Sequence, residues 1–182
     1  MGREARPVIR IAVLGWLIAS VWLFLAAPAL AHNAVGAPAP DFTVTTFDHQ
    51  KIDFAQVRGK VVVLNYWATW CAPCKREMVA MENYLRAHPG SDLRIFAVTT
   101  EDDVPIVKLQ PLQKVLSFPL VRSLRGRGYG TIGNAVPTSY VIDRAGVIRH
   151  AEASAFDPQS FDALITPLLA EPAPAVTASA SP

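Results

Sequence analysis

Cysteine is nearly missing from this 182-residue chain, which holds only Cys71 and Cys74, and histidine is scarce, with four copies. A closed zinc site takes about four ligands. The two thiols fall short, and His32, His49, His88 and His150 lie far apart with none at paired spacing, so the sequence argues against a metal site. Net charge is small, at +2. Residues 1–31 carry three arginines and one glutamate, and the 14 basic and 14 acidic side chains of the remainder cancel. No basic surface for nucleic acid is left. No internal repeat is visible.

Long charge-free apolar runs are also lacking, with one exception at the start. Arg3, Arg6 and Arg10 precede the uncharged segment from Ile11 to Ala31, which ends in Ala29-Leu30-Ala31. Positive flank, apolar run and small-residue box together read as an export segment, residues 1–31. The box and Pro28 favour a cleaved signal peptide. The length suits a retained anchor, since about 20 residues cross a bilayer, as do Trp16 and Trp22. Either way the expected location is the periplasm or cell envelope, with anchorage in the inner membrane if the segment stays. At the other end, residues 171–182 are rich in Pro, Ala and Ser with a single charge, and are expected to form a disordered tail. Residues 32–170 have the size of one domain with one core.

The two cysteines stand in Trp67-Ala68-Thr69-Trp70-Cys71-Ala72-Pro73-Cys74, where a strand pattern runs into a helix pattern. This spacing brings two sulfurs within disulfide reach. A staple closing so short a loop removes little chain entropy and stabilises weakly, so the reading is thiol-disulfide exchange. At the start of a helix Cys71 meets unpaired N–H groups and the positive end of the dipole, which lowers its pKa into the range of about 3.5 to 7.5. Pro73 fits the first helical turn, where its missing N–H costs nothing. Cys74 is more shielded. Glu77, three residues on, shares its face and is placed to take or relay the Cys74 proton. The competing reading of Glu77 is an exposed glutamate on a helix. Lys75 and Arg76 are read as solvated.

Around this motif, Phe42 to Phe47 and Lys51 to Phe54 read as a hairpin turning at Asp48-His49-Gln50, and Val61 to Trp67 as a strand buried on both faces. A helix from Pro73 to Ala87 follows, stopped by His88-Pro89-Gly90, then a buried strand from Leu93 to Thr99. Asp102 and Asp103 are expected to cap a helix from Val104 to Leu116, bent at Pro111. Tyr140–Asp143 and Val147–His150 read as a second hairpin, and Pro158 to Leu169 as a last helix. The order β-β-β-α-β-α-β-β-α implies an α/β fold, with a central mixed sheet flanked by helices on both faces. Leu120 to Gly130 reads as a loop whose Arg122, Arg125 and Arg127 could dock an acidic partner.

With Ala39-Pro40-Asp41-Phe42, the stretch Val62 to Glu77, Val136-Pro137-Thr138 and Val141-Ile142-Asp143 with Gly146, the chain resembles the thioredoxin fold. Within that fold it resembles the TlpA/ResA/CcmG-like thiol-disulfide oxidoreductases of the bacterial cell envelope, with an N-terminal β-hairpin extension. The resemblance implies a catalytic set of Cys71 as nucleophile, Cys74 as resolving thiol, Pro137 as a cis-proline facing the disulfide, and Glu77 as a modulating acid. Asn65 stands where thioredoxin has a buried aspartate, which makes a role for Glu77 more plausible. Trp70, Ala72, Pro73 and Val136 would form the substrate-binding surface, the Val136 backbone pairing with an extended segment, while Trp67 is expected in the core. The implied function is reduction of specific protein disulfides in cytochrome c maturation or copper-site and oxidase assembly. Its partners would be apocytochrome c or copper-site assembly proteins, and a membrane thiol-disulfide carrier would restore the dithiol. No cofactor beyond the Cys71–Cys74 disulfide, no metal and a monomeric state are expected. Two rivals share parts of the pattern. A peroxiredoxin-like thiol peroxidase has the Ala-Pro-Asp-Phe start but places its cysteine in Pro-x-x-x-Thr-x-x-Cys; a copper-binding assembly module would use the two thiols as soft ligands.

Overall fold

The computed structural model describes residues 35–174. The expected export segment, and the tail from residue 175 onward, lie outside the described residues. Ten elements follow one another: β1 Phe42–Thr46, β2 Lys51–Asp53, β3 Val61–Trp67, α1 Ala72–Ala87, β4 Leu93–Thr99, α2 Ile106–Gln113, β5 Leu120–Gly126, β6 Thr138–Ile142, β7 Ile148–Glu152 and α3 Pro158–Ala170. Short 3-10 turns occupy Phe54–Val57 and Ile132–Asn134.

The strands form one mixed sheet in the order β2-β1-β5-β4-β3-β6-β7. Parallel pairings join β3 to β4 and β4 to β5; the remaining neighbours are antiparallel. β3 lies at the centre because all seven of its residues are buried, four of them valine or leucine, as a strand covered on both faces requires. Its alternate side chains enter two cores. Val61, Val63 and Trp67 face the helices and meet Met78 and Met81 of α1, Leu109 of α2, and Phe161 and Ile165 of α3. Val62, Leu64 and Tyr66 face the other way with Phe96, Tyr140, Ile142 and Phe42, under a lid made by Phe54 and Val57. Helical segments thus cover both faces, but of different kinds: α-helices on one, a 3-10 turn and an aromatic cluster on the other. In that cluster the Phe42 ring stacks on Phe54 at 4.9 Å and meets Tyr129 edge-on at 5.6 Å.

α1 buries Cys74, Glu77, Met78, Met81 and Tyr84, one stripe at helical spacing. It ends at His88, whose N–H reaches back to the Tyr84 and Leu85 carbonyls. Tyr84 packs edge-on against Phe161 at 5.4 Å and hydrogen-bonds Thr166, which fixes α3 on α1. α3 begins in a reciprocal cap between Asp157 and Ser160.

Two expectations are corrected. Leu120–Gly126 is a strand, not a loop, running parallel to β4 and antiparallel to β1. Only Leu120 and Val121 are fully buried, and the register shifts opposite Thr45/Thr46, so no clean alternation marks it. α2 is shorter than the span from Val104 to Leu116, and neither Asp102 nor Asp103 caps it. Its N-cap is Pro105 in extended conformation, with no side-chain cap. A residue before proline is pushed out of the helical region, so Val104 cannot open the helix. Pro111 sits inside α2 as expected.

Candidate active site

The site lies where β3 ends. Trp67 is buried and its indole N–H donates to the Ala97 carbonyl at 3.3 Å, locking the strand end into the sheet. The chain turns over Ala68–Cys71, closed by the Cys71 N–H on the Ala68 carbonyl at 3.0 Å, and enters α1 with Cys71 as N-cap. The Cys71 sulfur accepts the Cys74 N–H at 3.2 Å, filling one of the orphan donors of the first turn. Cys71 and Cys74 are disulfide-bonded, with Cα atoms 5.4 Å apart. Cys74 is fully buried, whereas Cys71 keeps 3% of its surface. Ala72 and Pro73 are exposed, and Trp70 is 72% exposed.

The Val136–Pro137 peptide is cis, and the Val136 carbonyl approaches the Cys71 sulfur to 3.7 Å. Thr138 secures this wall, donating to the Ala135 carbonyl at 2.7 Å and accepting the Ile132 N–H at 3.1 Å. Val136 and cis-Pro137 thus stand beside the disulfide, and Trp70, Ala72 and Pro73 are exposed next to the two cysteines in the chain.

Glu77 is fully buried rather than on the surface. Its Oε2 accepts from the Asn65 amide at 2.8 Å; its Oε1 accepts from the Phe156 N–H at 3.2 Å and the Ser139 hydroxyl at 3.4 Å. The Asn65 amide also donates to the Ser139 oxygen at 2.9 Å. Burial pushes the Glu77 pKa up to about 7, with the Phe156, Asn65 and Ser139 hydrogen bonds pulling in the opposite direction. Sequence reasoning named Asn65 and Glu77 separately; the fold bonds them to each other. It missed Ser139 and Phe156. Ser139 lies directly across the ladder from Asn65, a pairing that the sequence alone does not show.

Lys75 and Arg76 are exposed and form no ion pair among the described residues. Arg122 and Arg125 are engaged at different places, while Arg127 is exposed. The Arg122 guanidinium lies over the Phe47 ring at 5.6 Å, and Arg125 lines a depression with Asp41, Asp53 and Arg58. No group of three His, Cys, Asp or Glu side chains suited to a metal ion occurs among the described residues, and none of their helices is long and apolar enough to cross a membrane.

The AhpC/TSA family model matches residues 35–151. The thiol-disulfide oxidoreductase ResA of Bacillus thuringiensis (strain Al Hakam) is 34% identical over 115 residues, covering 63% of this chain and 66% of that protein, just under two thirds of its length. The thioredoxin-like protein YneN of Bacillus subtilis is 35% identical over 117 residues, covering 63% and 68%. A thiol:disulfide interchange protein of the thioredoxin family from Chlorobium tepidum superposes with a TM-score of 0.64 at 24% identity, over 75% of this chain and 98% of that one, and so shares the fold. By sequence match and by fold, the chain belongs to the AhpC/TSA family, in its TlpA/ResA-like branch with the thioredoxin fold.

Proposed function

We propose that this protein is a thiol-disulfide oxidoreductase of the cell envelope that reduces particular protein disulfides. The observation that carries the reading is the disulfide itself: capped on a helix N-terminus, reachable at Cys71 alone, and walled by the Val136 carbonyl before cis-Pro137.

In the reducing cycle the Cys71 thiolate attacks one sulfur of the substrate disulfide, forming a mixed disulfide and releasing the other substrate sulfur as a thiolate. Cys74 then loses its proton and attacks the Cys71 sulfur. The second substrate thiolate leaves, and the Cys71–Cys74 disulfide seen here remains. Two electrons have passed from the dithiol to the substrate. N–H groups of the first turn of α1 stabilise the Cys71 thiolate. Glu77 provides a buried acid titrating near neutrality, one helical turn beyond Cys74, to accept the resolving proton. The exposed Trp70 and the Val136 backbone receive the substrate segment. A membrane thiol-disulfide carrier would return the dithiol form, with no cofactor beyond the cysteine pair. The ResA relatives support this activity by name; apocytochrome c or copper-site assembly proteins are the substrates we propose, acted on by a monomer.

The test is the reduction potential of the pair, equilibrated in thiol-disulfide buffers. A reductant sits below about −200 mV, in the company of thioredoxin and glutaredoxins, and a value near the roughly −120 mV of a strong envelope oxidant would overturn the assigned direction.

A further inference from the structure

The turn that delivers Cys71 is held from outside by Glu101, two residues beyond the end of β4. The Thr69 N–H donates to Glu101 Oε2 at 2.5 Å and the Thr69 hydroxyl to Oε1 at 2.9 Å. Glu101 is itself fixed by its N–H on the Thr99 hydroxyl at 3.1 Å. Beside it, Thr100 donates to the Trp67 carbonyl from its N–H at 2.9 Å and its hydroxyl at 3.3 Å. The two oxygens of one carboxyl group therefore take both donors of one residue.

Trp70 explains what such a bracket is for. Its indole is 72% exposed, so packing does not hold it. What is held is the backbone on either side, Thr69 in the Glu101 bracket and Cys71 in the cap of α1. A rigid exposed aromatic gives a partner apolar contact at little ordering cost, whereas a loose one must be ordered on binding.

We infer that Glu101 is a positioning residue, which brackets Thr69 so that Trp70 is pre-ordered as a docking platform for the protein segment bearing the target disulfide. This rests on the proposed oxidoreductase function. It is tested on the full chain with Glu101→Ala and Glu101→Gln, with insulin as a model protein disulfide. Glutamine keeps both bonds, its oxygen accepting the Thr69 N–H and its amide donating to the Thr69 hydroxyl. The alanine variant is expected to raise KM about fivefold with kcat within about twofold, the size set by ordering one side chain on binding; the glutamine variant is expected to restore KM. Amide exchange at Thr69 and Trp70 should quicken in the alanine variant and not in the glutamine one. An unchanged KM in the alanine variant, a fall confined to kcat, or glutamine behaving as alanine does would overturn the inference. If the wild-type dithiol reduces neither insulin nor a small aromatic disulfide, the oxidoreductase reading fails; amide exchange then still decides, and unchanged exchange at Thr69 in Glu101→Ala sinks the bracket.

Discussion

The most consequential single residue outside the disulfide is Glu77, because its surroundings convert a common helix glutamate into a buried acid. Burial costs the charged form more than the three hydrogen bonds return, and its pKa rises from 4.5 to about 7. The folded protein therefore binds this proton more tightly than the unfolded chain does. Its stabilising effect is complete below about pH 4.5 and is lost as pH rises through about 7, a change of order 3 kcal/mol. Thermal melting followed from pH 5 to pH 8 should show stability falling by a few kcal/mol in the wild type, with the slope flattened in Glu77→Gln; parallel curves would contradict the assignment. The kinetic consequence runs the other way. In the proposed mechanism Cys74 resolves a mixed disulfide with ionised Glu77 taking its proton, so the rate should climb through pH 7 in the wild type and lose that step in Glu77→Gln, as stopped-flow thiol release would read. The residue type and its spacing from Cys74 were legible in the sequence. Its burial was not, because that depends on Asn65, Ser139 and Phe156, which lie 12, 62 and 79 positions away along the chain.

Among the elements, β3 and β4 were legible to the residue, since each is a seven-residue, mostly apolar stretch, too short for a core helix and bounded by turn residues. β5 was hidden, because its order comes from its partners: two buried residues join it to β4, and β1 supplies the rest of the ladder. Its last residue offers a sharp check of that register. Gly126 lies opposite Phe42, and a Cβ there would stand 2.9 Å from the Phe42 Cβ and 3.0 Å from the Asp41 carbonyl oxygen. Gly126→Ala is therefore expected to destabilise the protein by about 1–3 kcal/mol, as overpacking does, measured by chemical denaturation. A neutral substitution would mean that the segment is the loop its arginines suggest. Glu101 was hidden for a related reason: next to Asp102 and Asp103 it resembles a helix-capping cluster, yet the following helix starts at Ile106 behind Pro105 and the Glu101 side chain turns to Thr69 instead.

At the scale of the whole molecule, the sheet gathers the site from distant parts of the chain. The end of β3 supplies the turn and the cysteines, the end of β4 the Glu101 bracket, the start of β6 the cis-proline wall, and the segment before α3 the Phe156 N–H on Glu77. Such convergence at the carboxyl ends of parallel strands is the usual place for chemistry in open α/β sheets. Hydrogen peroxide turnover is expected to be negligible and not to survive Cys74→Ser; peroxidase activity persisting in that variant would shift the function toward a one-cysteine mechanism. The most direct test of the central claim is trapping. Cys74→Ser cannot resolve a mixed disulfide, so the full chain carrying it should accumulate reducible, covalent adducts through Cys71 with envelope proteins, and these should vanish when Cys71 is also changed to serine. Absence of adducts, or adducts that persist without Cys71, would contradict it.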